Sequence, residues 1–178
     1  MNKASFAASL SIAALLSTTT PAQTADALPG PGPEHAQLGR FVGRWTGKGT
    51  LKPGPFGPGG SMSWTETCDW FPGRFSVVCH SDGKGPMGDL KGMGIIGYKP
   101  EEKTYTYYVV DNTGYSGLAT GTLLGSTWTF TGDEHVGGKT FKSRLILEEK
   151  SPRSRRFTWE TSQDGKTWST MMDGESAK

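Results

Sequence analysis

The sequence predicts an all-β protein, a single antiparallel up-and-down barrel of about ten strands opened by one short helical turn. Three observations predict it. Glycine occurs 26 times in 178 residues, about twice its usual share of ~7%, and glycine weakens a helix through the backbone entropy it loses. Alternating apolar and polar residues recur in short runs, the period of a strand with one face covered and one in water. Brief turn-forming clusters separate these runs, and connections so short favour antiparallel neighbours. A flattened sandwich with a filled interior is the alternative architecture.

The elements follow in chain order. Residues 1–27 read as an export signal: Lys3 supplies the positive start, residues 6–16 an apolar stretch too short to span a bilayer as a helix, and Ala25-Asp26-Ala27 a small-x-small site. Cleavage is expected after Ala27, with Ala22 as second choice, which makes the product periplasmic or secreted. Residues 28–33 (LPGPGP) form a stiff lead-in. The barrel domain spans 34–178, and residues 33–38 suit one helical turn. Strands are expected over 41–51, 61–70, 74–81, 90–98, 103–111, 115–124, 127–133, 139–149, 156–162 and 167–173. Between them lie Pro72-Gly73, Ser81-Asp82-Gly83, Pro100-Glu101-Glu102, Asn112-Thr113-Gly114, Gly137-Gly138, Ser151-Pro152-Arg153 and Asp164-Gly165, all turn formers. The segment 52–60, rich in proline and glycine, reads as a mobile loop over the barrel mouth.

Two hairpins carry the alternation. A two-residue loop at Gly73-Arg74 puts Trp64, Glu66, Cys68, Trp70, Val77 and Cys79 on one face and Thr65, Thr67, Asp69 and His80 on the other. In that register Cys68 lies opposite Cys79, at a separation a disulfide can bridge. Closing so short a loop adds about 3 kcal/mol. Two free buried thiols are the alternative, and metal-ligand spacings of cysteine and histidine are absent from the sequence. A turn at Asp164-Gly165 puts Phe157, Trp159, Trp168 and Met172 on one face, opposite Arg156, Thr158, Glu160 and Ser169. The strand at 103–111 is less clear, because Tyr105, Tyr107 and Val109 alternate with Tyr108 and Val110.

The inward rings are the candidate ligand-binding set: Trp64, Trp70, Tyr105, Tyr107, Trp128, Phe130, Phe157 and Trp159. They line an apolar cavity or fill the interior as core. Glu66 shares their face, where a carboxylate is costly unless paired or wet. Its functional reading is a group that orients a ligand. No catalytic residue is assigned. His35, His80 and His135 are separated along the chain and read as surface or capping residues, and no Gly-x-Ser-x-Gly elbow occurs. Gly92-x-Gly94-x-x-Gly97 sits in a strand pattern, so it carries no phosphate-binding logic and instead relieves crowding. Arg153, Arg155 and Arg156 read as a solvated loop. The formal net charge of +2 argues against nucleic acid or an anionic membrane as main partner.

Gly43-Arg44-Trp45 resembles the Gly-x-Trp opening of lipocalin-type barrels, whose tryptophan closes one barrel end beneath an N-terminal turn. With His35-x-x-Leu38, Gly47-x-Gly49, Trp70-Phe71-Pro72-Gly73-Arg74-Phe75, Gly94-x-x-Gly97-Tyr98, Trp128-x-Phe130 and Ser162-Gln163-Asp164-Gly165-Lys166-x-Trp168, the chain resembles the bacterial domain-of-unknown-function 1579 family over about 34–175. That resemblance implies a lipocalin-like barrel and no activity. A weaker similarity links Gly43-x-Trp45-x-Gly47-x-Gly49 to nitrobindin, a haem-binding barrel, but no residue here carries over as its haem ligand.

The expected function is therefore an exported, non-enzymatic barrel, without cofactor or metal, that binds a small hydrophobic or amphipathic molecule. A hydrolase or isomerase with an acid or base at the mouth is one alternative, and a filled-core envelope interaction module another. Nucleic-acid binding and membrane insertion are not expected, and oligomeric state is open.

Overall fold

The structure is a computed structural model that describes residues 30–178. The expected export signal and the first two residues of the lead-in lie outside the described residues. A short helix α1 (Pro33–Gln37) and a 3-10 turn (Leu38–Arg40) precede ten strands. These are β1 (Gly43–Leu51), β2 (Gly60–Trp70), β3 (Ser76–Gly85), β4 (Gly88–Lys99) and β5 (Thr104–Asp111). The second half is β6 (Ser116–Leu124), β7 (Thr127–Val136), β8 (Lys139–Ser151), β9 (Ser154–Ser162) and β10 (Ser169–Ala177). Each strand pairs antiparallel with its neighbours in sequence, and β1 pairs with β10 to close the barrel. Closure leaves no strand with unpaired backbone groups along an edge.

The period of two sets the inside. On β7, Trp128, Phe130 and Glu134 are buried, while Thr131, Asp133 and His135 are exposed. Cys68 and Cys79 face inward as direct cross-strand partners and form a disulfide with an S–S distance of 2.07 Å. Pro72-Gly73 makes the turn between them, with the Arg74 N–H donating to the Phe71 carbonyl at 2.9 Å. Gly73 and Arg74 both have positive φ, 88° and 61°.

Antiparallel pairing places the start of β1, the end of β2 and the start of β3 at one barrel end, and that end is sealed. The Trp45 indole donates from Nε1 to the Phe41 carbonyl at 2.7 Å, under the 3-10 turn. Phe41 and Tyr105 each pack on Trp128 with ring centroids 4.8 Å apart. The Tyr105 hydroxyl donates to the Glu34 carbonyl at 3.3 Å, tying α1 to the barrel. His35, buried, accepts the Gly32 N–H at Nδ1 and packs edge-on against Phe75 and Tyr98, a capping role. His80 and His135 are exposed.

Two expectations are corrected. Ser81-Asp82-Gly83 is not a turn: β3 runs to Gly85, because Gly83 is a strand glycine that makes room beside Trp64. The β9–β10 register shifts at a bulge between Thr170 and Met172, so that Trp159 faces Met172 and Phe157 faces Gly174. Trp168 therefore does not share the inward face of Phe157 and Trp159. It lies outside, with the Arg144 guanidinium 4.1 Å from its ring centroid. The segment 52–59 has its own structure: Gly54 and Gly57 exchange backbone hydrogen bonds of 3.0 and 3.2 Å. This turn directs Phe56 onto Trp159 and Phe141, with centroids 4.8 and 5.5 Å away, at the barrel end opposite α1.

Candidate functional site

Between the sealed end and Phe56 the barrel holds a cavity of about 220 Å³. Five of the nine expected residues line it: Trp64, Glu66, Tyr107, Phe130 and Phe157. The other four share the inward face but sit where the interior is filled. Trp128 and Tyr105 belong to the sealed end, where Trp128 Nε1 donates to Glu149 Oε1 at 2.8 Å. Trp70 lies at the end of β2 under the Arg74 guanidinium. Trp159 is covered by Phe56.

Glycine explains why the five leave a hollow. Trp64 is paired across to Gly47 on one side and Gly83 on the other, and a Cβ at either position would collide with Trp64. Gly94 occupies the same place beside Tyr107, Gly121 beside Phe130, and Gly49 and Gly174 beside Phe157. Each aromatic ring therefore lies back against bare backbone on the wall instead of standing into the centre.

Arg155 forms the charged part of the lining. Its Nη2 donates to Glu66 Oε2 at 2.6 Å and its Nε to Ser176 Oγ at 3.0 Å. The guanidinium also sits 4.1 Å from the Trp45 ring centroid, on the cavity side of the sealed end. The solvated-loop reading is thus corrected for Arg155, which is 9% exposed. β9 begins at Ser154, so Arg155 shares the inward parity of Phe157 and Trp159, whereas Arg153 and Arg156 remain exposed. Extending the alternation of β9 backward by one step would have found it.

Tyr107 is the neutral polar group of the site. Burial, and secondarily the charge of Glu66, push its phenol well above the usual tyrosine range, so at neutral pH it is a hydrogen-bond donor. A second interior carboxylate, Glu134, is 8% exposed and accepts from Tyr115 at 3.0 Å and from Ser143 at 3.1 Å. Burial and Glu134 together push the Tyr115 phenol up in turn. The parity of Trp128 and Phe130 reaches Glu134, but the expected strand stopped at residue 133.

Ligand atoms of Glu66, Cys68 and Cys79 lie within 4.8 Å of one another. The two sulfurs are bonded to each other, so the group offers a carboxylate and no thiolate. Among the described residues no histidine lines the cavity.

These features define a class, a closed ten-stranded barrel with a small, mostly apolar interior cavity that carries the Glu66–Arg155 ion pair. Residues 30–178 match the family described as "Protein of unknown function (DUF1579)", and the chain belongs to that family. No curated protein matches it. Among solved structures the chain is similar to Rv2717c from M. tuberculosis, with a TM-score of 0.59 and 8% identity, over 83% of this chain and 98% of that one. At that identity the likeness shows the fold alone.

Proposed function

We propose that this protein is an exported, non-enzymatic barrel that binds a small hydrophobic or amphipathic molecule in its interior. The observation that carries the reading is the 220 Å³ cavity, walled by Trp64, Tyr107, Phe130 and Phe157 and carrying the Glu66–Arg155 pair. Apolar walls with a few convergent polar groups are what a small-ligand site requires. The interior of a filled-core module would instead be closed by side chains. Glu66, on which acid–base chemistry at this site would rest, is committed to Arg155, which favours binding over turnover. Phe56 and its turn sit where a gate belongs, at the unsealed end. The Cys68–Cys79 disulfide supports an oxidising compartment, in keeping with cleavage after Ala27 and a periplasmic or secreted product.

The test is native mass spectrometry of the protein purified from its exporting host, paired with tryptophan fluorescence during ligand displacement. A retained small molecule whose release changes the emission is expected. A protein that carries none, and whose emission no small apolar compound alters, overturns the reading. Turnover abolished by Glu66→Gln would replace it with an enzyme.

A further inference from the structure

Resting on the reading of the barrel as a small-molecule binder, we propose that its ligand class is a neutral alcohol or phenol, whose hydroxyl group lodges between Tyr107 and Glu66. Tyr107 and Glu66 line the same cavity, and each presents an unused hydrogen-bonding atom. The Tyr107 hydroxyl bonds to no other described residue. It is also not sealed in protein, since no buried side-chain polar atom among the described residues lacks a partner. Glu66 accepts Arg155 at Oε2, and its Oε1 has no donor among the described residues. One donor and one acceptor therefore belong to residues lining the same small space. A hydroxyl is the simplest group that serves both: its oxygen accepts from Tyr107 and its hydrogen is donated to Glu66.

Other head groups fit less well. A carbonyl accepts from Tyr107 but leaves Oε1 unpaired. A carboxylate meets the charge of Glu66, and its natural partner Arg155 is already engaged by Glu66 and Ser176. An ammonium group finds Glu66 already neutralised and adds a second cation beside the guanidinium. Size narrows the class further. An apolar cavity of about 150 Å³ takes benzene. The 220 Å³ here then takes a ring with roughly two or three further heavy atoms. Trp64, Phe130 and Phe157 supply the surface for that ring.

Four probes of one shape test the assignment on the purified protein by calorimetry: phenethyl alcohol, ethylbenzene, phenylacetate and phenethylamine. Phenethyl alcohol should bind tightest, about tenfold tighter than ethylbenzene, the value of one well-made pair of hydrogen bonds. In Tyr107→Phe, with its fold checked by circular dichroism, the ratio of the two affinities should fall toward one. Equal affinity for alcohol and hydrocarbon, or tighter binding of the amine or the acid, overturns the hydroxyl assignment and leaves the cavity reading standing. Failure of all four to bind, ethylbenzene included, overturns both.

Discussion

Arg155 and Glu66 are the residues on which the interior turns, and they were unequally legible. Glu66 stands between Trp64 and Cys68 in an unambiguous alternation, so its inward position follows from parity alone. Arg155 stands between Ser154 and Arg156, where charge density masks parity. The two side chains are 16% and 10% exposed, and burial of this kind makes the pair worth little against an apolar pair of equal volume. Loss of one partner is a different matter, because the other charge stays inside unpaired. Arg155→Met should cost about 3 kcal/mol in urea denaturation. The double variant Glu66→Met, Arg155→Met should recover most of that loss, since it strands no charge. A single variant as stable as the parent would mean that Glu66 reaches water freely and that the ion pair does not hold the sealed end. The glycines teach a similar lesson. Their number signalled strands, but their partners did not show in the sequence: Gly83 reads as a turn former until Trp64 is seen lying against it.

Elements were legible where alternation met an ordinary turn, and less so where a side chain rebuilt the turn. All ten strands lie where expected, with ends displaced by a few residues. The β9–β10 connection departs because of Asp164. Its Oδ1 accepts the Lys166 and Thr167 N–H groups, both at 2.8 Å, and the Ser162 hydroxyl at 2.9 Å. This carboxylate organises a turn longer than two residues, delays β10 to Ser169 and leaves Trp168 outside. The blurred alternation of β5 has another cause. An apolar row of Val78, Ile95, Tyr108 and Leu118 crosses the outer wall, paired strand to strand. Asp164 also makes a pH prediction. The three hydrogen bonds hold its carboxyl down to about 2, from an ordinary value of 3.8. A depressed folded value means that the charged form stabilises the fold. That contribution is complete above the ordinary value and is lost as pH falls through the depressed one. A carbon-detected NMR titration should place the Asp164 midpoint near 2, and Asp164→Ala should flatten the acid limb of the stability curve between about 4 and 2. A midpoint in the ordinary range would show that the turn is not built on this carboxylate.

At the scale of the molecule, a period of two determines which side chains point inward but not how much of the interior they fill. The hollow depends on how each ring leans, and that is decided by glycines on adjacent strands, a relation between residues distant in sequence. The same fold therefore combines a packed end, sealed by Trp45, Phe41 and Trp128, with a roomier middle. The disulfide joins β2 to β3 within that interior, with Cys68 and Cys79 0% and 3% exposed. Two consequences follow, and they are separable. Backbone pairing closes the barrel through β1 and β10 without help from the sulfurs, so Cys68→Ala, Cys79→Ala should retain its β-sheet circular dichroism. Its unfolded chain loses a short covalent loop of separation 11, which lowers stability by about 2–3 kcal/mol, a drop of about 5–10 °C in Tm for a domain this size. Buried sulfurs are also out of reach of a thiol attacking the folded protein. Alkylation after mild reduction should therefore add no mass to the native protein and two alkyl groups once it is unfolded. Two alkyl groups on protein unfolded without any reductant would mean free thiols, and with them would go the main structural support for an oxidising compartment.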